Sequence, residues 1–464
     1  MAQPQVPQQD VDLWKVYANK IKEQFLSGNT LGETNKLFIP LLNSCAPMVG
    51  SGVTATTTSY EIGNIGDSLI TYNNPMFTTA GDKYSRKVSD YLYNVQLKAQ
   101  GGAGNLQNLE VARKEVLRKQ EDFDRAEQSA MDKFDKVSKN SPSKEFSAWV
   151  TQGYPYLSVA RSDLEGAQTN YDMQAGIVFG AGYKPLQADK DNMKQVLYTQ
   201  GPTQYNMEVS PPLFGVDVKS TGKRYMPLYT IDSSYETAVQ DWIRTYNDLD
   251  RDKVKIQFSS SDSNKYSWST VGHQEWKANA SVKYVPFLSI DYNTSGSKDT
   301  KEVHMDDRDA SVDVTIAASG IQTFTINSGA WDIGDVKKKY PNLLPGASKS
   351  LWDPMYRVTH LVVGYGVSLD IKMNKSLYDK VTKQLKDAQS HDGGASATFF
   401  GFKVDIGARG SYSSENQTDF SNIATNDDAC SIHVPGSNNT IPTLLAVLAT
   451  EVAPANQPVP ANGH

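Results

Sequence analysis

Residues 311–327 read SVDVTIAASGIQTFTIN, and their period decides the fold class. The even positions Val312, Val314, Ile316, Ala318, Phe324 and Ile326 are apolar. The odd positions Ser311, Asp313, Thr315, Ser319, Thr323 and Thr325 are polar. A period of two means a strand with one buried face, and a one-sided apolar pattern of this kind belongs to antiparallel sheets. The same alternation runs through VGYGVSLDIKM (363–373), where Val363, Tyr365, Val367, Leu369, Ile371 and Met373 share a face. It recurs in FFGFKVDIGARGSY (399–412) through Phe400, Phe402, Val404, Ile406, Ala408 and Tyr412. In ASVKYVPFLSIDY (280–292) it runs through Val282 and Tyr284 and shifts phase at Pro286, as a bulge or an edge would. Read this way, the strands at 311–327, 361–373 and 396–413 far exceed the common length of about five or six residues. Strands so long need a long partner surface: a second sheet, a barrel, another subunit or lipid.

Upstream the period changes to that of helices. Asp10 is placed to cap a helix carrying Leu13, Tyr17, Ile21 and Phe25, with Gly28 to end it. Tyr84, Val88, Tyr91 and Val95 mark a second helix over 82–100, and GGAG at 101–104 breaks it. Leu109, Val116, Phe123, Ala130 and Val137 then recur by sevens among many charged residues. Leu157, Ala160, Leu164, Ala167, Tyr171 and Val178 follow with steps of three and four, beyond a proline- and glycine-bearing turn. Helices over about 105–138 and 155–178 joined by a turn predict an antiparallel, coiled-coil-like hairpin in which Leu109, Phe123, Leu164 and Tyr171 face one another. Such a hairpin is either an ordinary bundle core or a protruding arm that holds an assembly together. A further helix is expected behind a capping box at Ser233–Glu236.

The expected fold is therefore α+β. A helical region over residues 1–200 precedes an antiparallel β-rich region, sandwich or barrel-like, over 201–464. At 464 residues, with 39% hydrophobic and 21% charged residues, the chain has a globular composition with room for two or three domains. A net charge of -6 with no basic block argues against a nucleic-acid partner, because neutralising phosphates needs clustered Lys and Arg. No apolar run is long enough for a membrane-spanning helix. The opening MAQPQVPQQDVDLW lacks the basic and apolar regions of a secretory signal, so a cytoplasmic location is expected, with the widely spaced Cys45 and Cys430 reduced and the sequons at Asn279, Asn293, Asn374, Asn416 and Asn438 unused.

Chemistry is sparse. The sequence holds no nucleotide-binding glycine fingerprint, no P-loop, no HExxH and no GxSxG, and no cofactor is implied. KEVHMDDRDA (301–310) concentrates His304 and three aspartates in a turn-flanked segment, with Val303 and Met305 expected to face opposite to His304. It lacks the glycine and distal glutamate of a calcium loop, so it reads as a hairpin edge and not as a metal site. His360 and Asp353 flank a segment entering a strand, where His360 reads as a structural histidine or as an acid or base. His391, in HDGG at 391–394, reads as part of a turn, His273 has no recognisable partner, and no catalytic residue is assigned. Two functions follow. One is a non-enzymatic, homo-oligomerising protein, pore-forming-like, whose amphipathic strands meet other subunits or a lipid surface. The other is a motif-less enzyme of cyclase or isomerase type acting on a small apolar molecule in a β-rich cavity.

Overall fold

In a computed structural model of the chain, the described residues are 7–40, 46–50, 52–70, 75–100, 102–139, 144–199, 201–213, 219–220, 222–248, 252–274, 286–294, 297–305, 311–391, 395–406, 418–419, 423–436 and 441–452. The alternating stretch at 311–327 is two strands, Val312–Ala318 and Gly320–Ser328, in two different sheets. The break falls at Ser319, just before Gly320, where a side-chain carbon would run into the Trp242 indole. Its antiparallel neighbour breaks at the same level. Met355–Tyr365 and Ser368–Met373 are separated by Gly366, whose φ of 62° and contact with the Tyr246 ring exclude a side chain. Gly320 pairs with Tyr365, and Ala317 pairs with Ser368, so the two chains run side by side through both sheets. The long strands expected from sequence are thus paired shorter strands whose partner surface is each other.

The central seven-stranded sheet runs Met76–Phe77, Asn35–Pro40, Thr443–Val452, Met355–Tyr365, Gly320–Ser328 and Tyr229–Ile231, with Leu69–Ile70 paired to the start of Met355–Tyr365. It separates two hydrophobic cores. Phe38, Phe324, Val363, Leu444 and Val447 face one, while Leu37, Ile39, Val362, Leu445 and Leu448 face the other. The second core also holds Val312, Val314, Ile316, Leu369 and Ile371. The face that points into one core before the glycine break therefore points into the other after it. Thr443–Val452 is buried on both sides, which suits its nearly unbroken apolar sequence. Two five-stranded sheets follow: Ser297–Val303, Leu288–Thr294, Ala395–Phe399, Phe402–Ile406 and Thr418–Asp419, and Ala424–Asn426, Ser431–Val434, Ser368–Met373, Val312–Ala318 and Val254–Ser259. Two strand pairs, Asn206–Val209 with Arg224–Pro227 and Pro212–Leu213 with Lys219–Ser220, complete the β-structure among the described residues. None of these sheets closes into a barrel among the described residues.

The 396–413 stretch is likewise not one strand. Ala395–Phe399 and Phe402–Ile406 fold back on each other across Phe400 (φ 44°) and Gly401 (φ 79°), the backbone of a two-residue hairpin. Phe400 is held in this conformation by stacking on Trp14, with ring centroids 3.8 Å apart. Ala408 and Tyr412 lie outside the described residues, as do Val282 and Tyr284.

Ten helices are present among the described residues: α1 Gln8–Phe25, α2 Ala55–Gly66, α3 Tyr84–Tyr93, α4 Ala103–Ser138, α5 Phe146–Gly153, α6 Pro155–Phe179, α7 Tyr183–Tyr198, α8 Tyr235–Arg244, the single turn α9 Val336–Lys339, and α10 Lys375–Gln389. Helix α4 packs along α6, and α7 packs on both α6 and α3. Leu109, Phe123, Leu164 and Tyr171 are all buried there. Phe123 meets the Tyr198 ring of α7 edge-on, with centroids 5.1 Å apart, so the hairpin is part of a bundle. The heptad does not last. A straight helix drifts about 20° per seven residues, and by the fifth repeat Val137 is 48% exposed while Phe134 has taken the inner position. Arg113 docks α4 on the body, donating to Glu110, to Asn94 and, at 2.9 Å, to the Gly346 carbonyl.

Two predicted caps are corrected. Asp10 sits in the first turn of α1 behind Pro7. The box at Ser233–Glu236 does not form: α8 begins at Tyr235, which puts Ser234 at the cap position, and Ser234 gives its hydroxyl to Asp232. Helices dominate up to residue 200 and sheets beyond it, but both cores draw on each side of that point. Asn35–Pro40 pairs with Thr443–Val452, and α1 packs on Val254–Ser259.

Candidate functional site

Strands Gly320–Ser328 and Met355–Tyr365 pair from Gly320/Tyr365 to Thr325/His360 and then part. The first goes on to Tyr229–Ile231 and the second to Leu69–Ile70. A cavity of about 290 Å³ lies in the fork, lined by Gly66, Tyr84, Tyr229, Arg357 and His360 with the strand end at Asn327–Ser328. Two buried carboxylates organise its walls. Asp332 accepts from Arg357 at 2.6 Å, Ser328 Oγ at 2.6 Å, Tyr84 Oη at 3.0 Å and the Gly334 N–H at 2.9 Å. Asp67, at the end of α2, accepts from the Ser85 N–H and hydroxyl, both at 2.8 Å, and from Tyr229 Oη at 3.1 Å. Burial holds the Asp67 carboxyl above its ordinary range, against the pull of Lys83. Burial and the neighbouring Asp332 carboxylate push the Tyr84 phenol well up. Gly66 is obligatory here, because a side-chain carbon at that position would overlap the Tyr229 ring.

Of the histidines singled out in the sequence, His360 alone lines this cavity. Burial lowers its pKa, and its Nδ1 lies 3.1 Å from Thr359 Oγ1. Ser328 gives its hydroxyl to Asp332, a carboxylate already engaged by Arg357 and Tyr84. The Tyr84, Tyr229 and Ser328 hydroxyls donate to the two carboxylates, so the walls carry polar groups fixed in place and an Arg357 charge already paired with Asp332, a polar lining for a small cavity.

The other candidates sit elsewhere. His273 is buried with Nε2 2.6 Å from the Leu37 carbonyl, and burial pushes its pKa down to about 4: a structural histidine. His391 lies edge-on to the Tyr292 ring. Asp353 gives its carbonyl to Lys337 and does not pair with His360. His304 closes a link between sheet and helix. Its Nδ1 is 3.0 Å from Asp10 Oδ2 and its Nε2 is 3.2 Å from Glu302, while the Met305 N–H donates to Asp10 Oδ1. Those partners raise its pKa, the Asp10 hydrogen bond foremost. Val303 and Met305 are buried. The aspartates at 306, 307 and 309 lie outside the described residues, and no metal-ligating cluster occurs among the residues that are described.

Two further features were not legible in the sequence. Inside the bundle Lys190 is enclosed by Tyr171, Tyr183 and Tyr93, 4.2–4.8 Å from their ring centres, and reaches Asp172 at 2.6 Å; burial brings its pKa down to about 8. On the outside, the large hydrophobic side chains left exposed among the described residues all belong to α4 and α6. Tyr156 (58%), Val159 (57%), Met173 (57%) and Ile177 (53%) share α6, with Leu106, Val111 and Val137 on α4. No described helix is long and apolar enough to cross a membrane. Comparison with protein-family models, curated proteins and solved structures finds no match to this chain. The class is thus defined by fold alone: an α+β protein with antiparallel sheets and a helical bundle.

Proposed function

We propose that this is a non-enzymatic protein that assembles with copies of itself through the α4–α6 side of its helical bundle. The observation that carries this reading is that, among the described residues, the exposed large apolar side chains all lie on these two helices. Single exposed apolar residues are ordinary, but a stripe on one helix marks a contact surface. The strands no longer support the reading, since their apolar faces are occupied by the two cores. A lipid surface, the other partner expected from the sequence, would have to meet the same helical side. Native mass by light scattering tests the proposal: a dimer or larger species is expected, and a monomer of 51.1 kDa at all concentrations would refute it. Dye release from vesicles tests the lipid variant, which falls if the vesicles stay intact.

A second reading is favoured by the forked cavity: a motif-less enzyme or carrier of a small molecule. The lining of Tyr84, Tyr229, Arg357 and His360 suits a polar or amphipathic molecule better than a wholly apolar one. Screening small carboxylates and polyols for a rise in melting temperature, with Arg357→Met as the control, tests it. No rise with any of them would remove it.

A further inference from the structure

The outer stripe of α6 reads, in chain order, Tyr156, Val159, Asp163, Gly166, Asn170, Met173 and Ile177. Steps of three and four keep these residues on one side of a helix. The order is nearly the same from either end: aromatic or aliphatic, aliphatic, carboxylate or amide, then the centre. Two such helices laid antiparallel about Gly166 bring Tyr156 of each against Ile177 of the other, Val159 against Met173, and Asp163 against Asn170. A two-fold interface uses one patch twice and must complement itself in this way. We propose that α6 is the isologous dimer contact of this protein, with the two-fold axis beside Gly166 and a second copy of the chain as its occupant. The inference rests on the assembly reading above and adds which residues meet.

Three observations select a second copy over another partner. At the axis, Gly166 is exposed, and a side-chain carbon built there meets nothing within 4 Å, so two backbones can approach closely. Asp163 is 48% exposed and holds Lys119 of α4 on its own chain, which leaves the carboxylate at the surface opposite the place of an Asn170 amide, a donor for an acceptor. Charge is also distributed to suit. The stripe carries one charged residue, whereas the outward side of α4 is laced with Arg118–Glu115, Arg118–Asp122 and Arg125–Asp122 pairs that keep it solvated. Size fits a modest dimer. At about 1.5 Å per residue, α6 spans about 37 Å. One helix pair of that length falls at the small end of interfaces that bury about 800 Å² per partner, so dissociation is expected near micromolar concentration.

The pairing is testable by charge reversal and rescue on the full chain. Asn170→Asp sets a carboxylate against Asp163 twice per dimer and is expected to raise the dissociation constant at least tenfold in sedimentation. Adding Asp163→Asn restores a carboxylate–amide pair with the roles exchanged, and should bring the constant back to within about threefold of the parent. Val159→Glu with Met173→Glu should give monomer, with the circular dichroism spectrum unchanged as a check on folding. An oligomer whose mass ignores all of these variants would overturn the α6 contact and leave self-assembly standing. Dissociation by Asn170→Asp without rescue would overturn the antiparallel register. A parent protein that is monomeric throughout would remove both proposals.

Discussion

Helices α4 and α6 lie against each other, yet their surfaces follow opposite rules. In α4, 15 of 36 residues are charged, and ion pairs three and four residues apart cover its outward side between the exposed Leu106, Val111 and Val137. In α6, four of 25 are charged, and its outward side presents tyrosine, valine, methionine and isoleucine to solvent. Their inward sides are alike: Leu109, Val116 and Phe123 on one helix and Leu164, Tyr171 and Val178 on the other are buried in a single core. Folding requires the inward sides. It does not require the outward side of α6, and that difference is what points to association.

The comparison fails at its base if the inward sides are not load-carrying for stability. Phe123→Ala should destabilise the fold by about 3–5 kcal/mol in chemical denaturation, as expected for a fully buried ring. Val159→Ala on the outward side should stay within about 0.5 kcal/mol in the monomer. An enclosed charge should behave like an enclosed ring. Asp332→Ala strips the acceptor from Arg357, Tyr84 and Ser328 and should cost about 2–3 kcal/mol, less than a wholly buried ion pair because Arg357 is one-third exposed. Equal stability of that variant would mean that the forked cavity is not organised by its carboxylates.

The His304–Asp10 pair should contribute less and depend on pH. Its raised pKa means that the stabilisation is fully present below the ordinary histidine value near 6.5 and is lost as pH rises through the value in the folded protein. The stability gap between the parent and His304→Gln should therefore be wider at pH 6 than at pH 9. A gap constant across that range would show that the hydrogen bond is indifferent to charge. Smallest of all, Arg118→Ala on the solvated side of α4 should change stability by less than about 0.5 kcal/mol, because exposed i,i+3 and i,i+4 pairs are worth little.

How far the sequence reveals this molecule depends on how local each signal is. Helices dominate before residue 200 and sheets after it, and the helices at 105–138 and 155–178 match α4 and α6 almost to the residue. The strands at 311–327 and 361–373 are right in face and wrong in continuity. Alternation survives a glycine break, and only the Trp242 and Tyr246 rings, distant in sequence, explain why Gly320 and Gly366 divide them. Thr443–Val452, at the centre of the main sheet, was not anticipated, since a strand buried on both sides does not alternate. Asn35–Pro40 is missed because its pairing partner lies more than 400 residues away. The cavity was equally hidden. Asp67, Tyr84, Tyr229, Asp332 and Arg357 come from five separate segments, and only His360 stood out beforehand.

The most direct measurement is sedimentation velocity on the parent chain and on the Val159→Glu, Met173→Glu double variant, across concentrations spanning the micromolar range. The account predicts a parent that passes from monomer to dimer over that range and a folded variant that remains at 51.1 kDa throughout. A parent that never leaves the monomer mass, or a double variant that dimerises as well as the parent, would contradict it.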